Sequence, residues 1–231
     1  MDELVFAPPA PPAVAVEGGG RFPVHRIYCV GRNYVEHAQE MGHSGREPPF
    51  FFTKPADTIV PVPAGETGHI AYPSATKNFH HEIELVVALA KGGRDIRASD
   101  APRLIWGYAV GLDMTRRDLQ NEAKKQGRPW CSGKAFDEAA PIGPLHAIAS
   151  TGELSKGAIT LKVNGQLKQK GDLGDLIWNV GEIIEHLSSL WTLAPGDLIY
   201  TGTPAGVGAV VKGDVMEGEI AGLGTLKVQV G

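Results

Sequence analysis

HHEIELVVALA, residues 80–90, holds the pattern on which the fold turns. Glu82 and Glu84 alternate with Ile83 and Leu85 before an apolar run to Ala90, the period-two signature of a β-strand. Alternate residues on one face of a strand stand about 6.6 Å apart along the backbone, close enough for two glutamate side chains to converge on one ion. A solvated strand face explains the same alternation, because alternating glutamate is common on open antiparallel sheets.

Toward the N-terminus, HRIYCVG (residues 25–31) reads as a second strand, and Arg32-Asn33 leads into a predicted helix from Tyr34 to Met41. His37 and Glu40 lie three residues apart there and share a face. MGHSGREPP (residues 41–49) is a glycine- and proline-punctuated loop placed to act as a lid, with His43 and Arg46 among its polar side chains. A short apolar strand follows over Phe50 to Thr53. Residues 1–22, proline-rich with a glycine run, are expected to form an extended arm, leaving residues 23–231 as one compact domain.

Toward the C-terminus, WGYAVGLDM (residues 106–114) reads as a buried strand that leaves Asp113 near its end. TRRDLQNEAKKQ (residues 115–126) is a polar helix stopped by Gly127. Asn164-Gly165 marks a hairpin within residues 159–170, since this pair supplies the positive φ values of a type I′ turn. A helix over residues 179–190, a strand at 197–201 and two strands within 214–230 complete the reading.

The chain has 231 residues, 42% of them hydrophobic, enough to bury a core as one large domain or two small ones. Thirty glycines and 17 prolines imply many turns, hence a sheet-rich α+β body. A formal charge of -4 argues against a nucleic-acid backbone or an anionic membrane surface as partner. The two cysteines, Cys29 and Cys131, sit in no ligand or redox motif, which suits a reduced compartment. No apolar stretch reaches the roughly 20 residues that span a bilayer, and the first residues do not read as a signal peptide, so a cytoplasmic location is expected.

Glu82, Glu84 and Asp113 are three carboxylates at predicted interior positions. Burying them together unpaired would be costly, and a divalent cation would remove that cost. An all-oxygen set selects magnesium, manganese or calcium over zinc. His80 and His81 do not form an HExxH motif and are expected to support the sheet. His37 beside Glu40 has the makings of a base that deprotonates water, although a surface i,i+3 pairing explains the same spacing and is the more ordinary reading. Lys134, within WCSGKAF, is either a buried cation that steadies negative charge or a lysine snorkelling from a strand edge. Cys131 lacks the base and orienting group of a nucleophile.

VGRNYVEH (residues 30–37), HHEIEL (80–85), GLDMTRRDLQ (111–120), GKAFD (133–137) and GDLIYTGTPAGVG (196–208), taken in order, resemble the fumarylacetoacetate hydrolase family. The resemblance implies a mixed β-sandwich roll with short flanking helices, a homodimer, and Mg2+ or Mn2+ held by Glu82, Glu84 and Asp113. It also implies His37 and Glu40 as the water-activating pair and Lys134 as the oxyanion-stabilising lysine. Arg117, Gln120 and Thr203 fall at substrate-contacting positions. The reaction implied is hydrolysis of a carbon–carbon bond in a small diketo acid, with fumarylpyruvate, from the gentisate branch of aromatic catabolism, as the leading substrate. Other acylpyruvates, oxaloacetate decarboxylation and diene-dioate isomerisation are rival uses of the same metal site. A non-catalytic metabolite-binding module is a more distant one.

Overall fold

A computed structural model of the chain describes residues 5–34 and 46–231. Ile83–Leu89 forms the expected strand, but every residue in it is buried. The reason is its place in a mixed eight-stranded sheet, where Leu198–Tyr200 pairs antiparallel on one side and Ile105–Leu112 on the other. A strand covered on both faces and both edges has no solvated side, so the surface reading of Glu84 fails. The sheet runs outward through Ile27–Gly31, parallel to Leu198–Tyr200, to the edge strand Phe50–Lys54, and on its other flank through Ala140–Ile142 to Ile59–Pro61.

The two faces of the central strand feed two cores. Ile83, Leu85, Val87 and Leu89 pack with Leu161, Met216 and Val228 of a five-stranded sheet, and with Ile183, Ile184 and Leu187 of the helix Val180–Leu190. Asn179 begins that helix through a capping box with Glu182. Val86 and Ala88 pack with Cys29, Ala109 and Tyr200. Part of the expected N-terminal arm joins this second core. Ala13–Ala15 and Arg21–Pro23 form a hairpin, and Val14 and Phe22 point inward because alternation gives them the apolar face. The arm reading is therefore corrected for residues 13–22, which pack as sheet rather than lead into the body.

Asn164 and Gly165, at φ 51° and 77°, turn the hairpin between Ala158–Val163 and Gln166–Asp172 as their sequence demands. The helix read over 115–126 is shorter, Arg117–Lys125, because Thr115–Arg116 pairs instead with Phe79–His81 in a three-stranded sheet. That pairing, with the Asp113 N–H donating to the Glu82 carbonyl at 2.8 Å, draws the two carboxylate-bearing segments together.

Gly111 faces Glu84 across the strand pair, where a Cβ would lie 2.5 Å from Val86 Cγ2 and 2.7 Å from Tyr200 Cε1. Gly111→Ala should therefore overpack the second core and cost about 1–3 kcal/mol. In a thermal melt this reads as a fall of roughly 2–12 °C in a domain of this size; an unchanged melting temperature would show that the core yields there.

Candidate active site

Glu82 precedes the central strand, Glu84 is its second residue, and Asp113 follows the neighbouring strand. Their register puts one oxygen from each carboxylate within 4.8 Å of the others, at 6%, 2% and 0% exposure. Three anions so close in a dry site need compensation.

Cations supply part of it. Lys134 is in the short helix Cys131–Lys134, not on a strand edge, and is fully enclosed. Its Nζ donates to Glu82 Oε2 at 2.8 Å, to Asp113 Oδ2 at 2.6 Å and to Thr115 Oγ1 at 2.7 Å. Burial pulls the Lys134 ammonium down, but Asp113 and Glu82 outweigh it and its pKa ends above the usual lysine value. Gly133 lets this helix lie against the preceding one, Arg117–Lys125, since a Cβ there would sit 2.8 Å from the Gln120 backbone nitrogen. Arg117 ion-pairs with Glu82 and donates to Gln120 Oε1 at 2.6 Å.

Lys54, which the sequence reading passed over, is the third cation. Its Nζ lies 2.8 Å from Asp113 Oδ1 and donates to the Met114 carbonyl at 3.3 Å and to the Lys134 carbonyl. One buried side chain thus ties the edge strand to a carboxylate and to the lysine helix. The available signal was a lysine closing the aromatic strand FFFTK, since a charged side chain that ends an apolar run is less usual than one on a polar face.

Glu84 is treated differently. Among the described residues it has no ion pair, and its Oε2 accepts only the Gly202 N–H, at 2.8 Å. Burial, then Asp113 and Glu82, push its pKa well above the usual carboxylate range. A buried carboxylate with no ion pair of its own among the described residues, beside two others in an all-oxygen set, fits a hard divalent cation.

The triad floors a cleft lined also by Arg117, Gln120, Lys134 and Thr203. The structure thus brings these four together with Glu82, Glu84 and Asp113. Thr203 Oγ1 accepts from Gln169 Nε2 at 2.8 Å, and Gln169 Oε1 meets His81 Nδ1 at 2.8 Å, so His81 supports the wall as expected. Burial and then Arg117 lower the His80 pKa to about 4, leaving its ring neutral near pH 7. Lys124 and Arg32, also unread in the sequence, line the cleft as well. His37, Glu40 and His43 lie outside the described residues. Arg46 ion-pairs with Glu182 and stacks 4.3 Å over the Trp178 ring.

The family profile for the fumarylacetoacetate (FAA) hydrolase C-terminal domain matches residues 26–231, and the chain belongs to this family. It is 48% identical over 188 residues to a fumarylpyruvate hydrolase from a Ralstonia species, spanning 80% of this chain and 94% of that one. A mitochondrial oxaloacetate tautomerase from Homo sapiens is 39% identical over 204 residues, 88% of this chain and 90% of that one. A crystal structure of fumarylpyruvate hydrolase from Pseudomonas aeruginosa in complex with Mn2+ and pyruvate superimposes with a TM-score of 0.97 at 55% identity, covering 99% of each chain.

Because the folded chain keeps the Glu84 proton above the pH at which an unfolded glutamate releases it, about 4.3, metal-free stability should fall as pH rises through that interval. Glu84→Gln should remove this fall and raise the melting temperature in chelator near pH 7 by about 2–4 °C, equivalent to about 1 kcal/mol. The same variant should lose the stabilisation that added Mn2+ gives the wild type. A variant still stabilised by Mn2+ to the wild-type extent would show that the ion binds without Glu84.

Proposed function

We propose that this chain is a metal-dependent hydrolase that cleaves the carbon–carbon bond of fumarylpyruvate to give fumarate and pyruvate. The observation that carries the reading is Glu84, buried beside Glu82 and Asp113 with no ion pair among the described residues and with its pKa driven upward. Similarity to fumarylpyruvate hydrolases at 48% and 55% identity supplies the substrate.

Glu82, Glu84 and Asp113 would hold Mg2+ or Mn2+, which supplies Lewis-acid charge to offset the enolate formed on bond cleavage. Arg117 and Gln120, joined to each other and facing the cleft, orient the carboxylate end of the diketo acid. His37 and Glu40, the pair that the family resemblance implies, would draw a proton from the water that attacks the distal ketone. The Lys134 ammonium stays charged through its carboxylate neighbours and presents fixed positive potential to the oxyanion of the tetrahedral adduct. Thr203, fixed by Gln169, offers its hydroxyl at the same wall. Collapse of the adduct transfers the bonding electrons to the pyruvyl carbon, which is then protonated.

Residues 23–231, with the hairpin of residues 13–23 packed onto them, act as the catalytic domain in this reading, with the chain working as a cytoplasmic homodimer in the gentisate branch of aromatic catabolism. The unpaired thiols Cys29 and Cys131 suit such a compartment. Among the described residues no helix is long and apolar enough to cross a membrane. A second reading, enolate chemistry on oxaloacetate without a hydrolytic water, is favoured by the human tautomerase relative.

His37→Ala should bind Mn2+ as the wild type does, yet hydrolyse fumarylpyruvate at least about a hundredfold more slowly. Paired Mn2+ titrations and absorbance assays check this. Hydrolysis near the wild-type rate would remove His37 from its role, whereas oxaloacetate turnover with no hydrolysis by the wild type would favour the second reading.

A further inference from the structure

Beyond the carboxylates, the cleft continues into a region of different chemistry. Phe50, Phe52 and Trp130 form an aromatic wall there, with Trp130 ring centroids 5.3 Å from Phe50 and 5.7 Å from Phe52. The wall depends on Gly31, since a Cβ at that position would strike the Phe50 ring at 2.0 Å. Two more cations line the same cleft. Arg32 follows Gly31 with a left-handed φ of 57°, rare for a side-chain-bearing residue and associated with functional sites, and its guanidinium lies 5.4 Å from the Phe50 centroid. Lys124 Nζ lies 5.0 Å from the Trp130 centroid.

Arg117, Gln120 and Lys124 occupy positions i, i+3 and i+7 of one helix and so form a single stripe along the cleft. Arg117 stands at the carboxylate end, paired with Glu82. Lys124 is two turns further on, about 10 Å along the helix axis. Among the described residues Lys124 has no ion pair, and its half-buried ammonium is lowered to about 8, first by burial and then by Arg117 and Arg32. An anion brought to this point would relieve that repulsion.

We propose that Lys124, with Arg32, forms an anion subsite for the far carboxylate of a dicarboxylic diketo acid, while the aromatic wall stacks against the unsaturated chain between its two ends. The inference rests on the hydrolase reading above and makes it more specific. The site selects acyl groups that end in a carboxylate over short uncharged ones. A seven-carbon diketo diacid in extended form suits the stretch from Arg117 to Lys124.

The test compares wild type, Lys124→Met and Lys124→Arg as Mn2+-loaded enzymes. KM and kcat are measured with fumarylpyruvate and with acetylpyruvate, which lacks the far carboxylate. Binding of fumarate and of acetate is followed by calorimetry. Lys124→Met, which keeps the packing against Trp130, should raise KM for fumarylpyruvate by about 10- to 100-fold, the loss expected for one charged hydrogen bond. It should weaken fumarate binding in parallel, and change KM for acetylpyruvate by less than about threefold on the same scale. Lys124→Arg should restore most of the fumarylpyruvate affinity. An equal loss on both substrates would overturn the subsite, because Lys124 would then act at the shared pyruvyl end, and so would no loss on either. If the wild type turned over neither diketo acid, the hydrolase reading would fail. The subsite would still be judged by fumarate binding, and fumarate bound no more tightly than acetate by the wild type would overturn it.

Discussion

Three carboxylates whose oxygens lie within 4.8 Å of one another, in the interior of a sheet, set the condition that the rest of this molecule meets. At such separations charge repulsion outweighs most single favourable contacts, so the site must import positive charge or give up ionisation. The chain does some of each. Lys54, Lys134 and Arg117 surround Glu82 and Asp113, while Glu84 is left with one backbone N–H and a pKa driven upward. Charge compensation is thus nearly complete around two of the carboxylates and left open at the third, where a divalent ion has the most to offer.

The fold holds this arrangement by drawing on distant parts of the chain. Lys54 closes an edge strand, the glutamates begin the central strand, Asp113 ends its neighbour, and Lys134 sits in a short helix pressed on Gln120 by Gly133. Removing either lysine would leave a buried carboxylate short of a partner, a far larger penalty than loss of a surface ion pair. The long paired strands, with an apolar core on each face, give the site a rigid floor. The cleft wall, by contrast, comes from residues around Gly31 and from one face of the helix Arg117–Lys125, the elements best placed to tune which acyl group enters.

Much of this was legible in the sequence. Alternation exposed the Glu82–Glu84 strand, Asn-Gly located a hairpin, and five ordered motifs pointed to the family that the profile match then established. Burial was less legible, because period-two glutamate reads the same on an open sheet as in a covered one, and only strand order decides between them. Lys54 escaped because its role depends on segments 60 and 80 residues away. Lys124 escaped because a lysine on a polar helix looks solvated until the aromatic wall is placed beside it. The N-terminal hairpin was hidden by proline and glycine content, which hides the alternation of Val14 and Phe22.

The central claim is that one hard cation sits between the three carboxylates. Anomalous scattering from Mn2+-soaked crystals, collected at the manganese edge, tests it most directly. The account predicts one strong peak bounded by the side chains of Glu82, Glu84 and Asp113, lost in crystals of Glu84→Gln. A peak elsewhere, or none in active crystals, would contradict it.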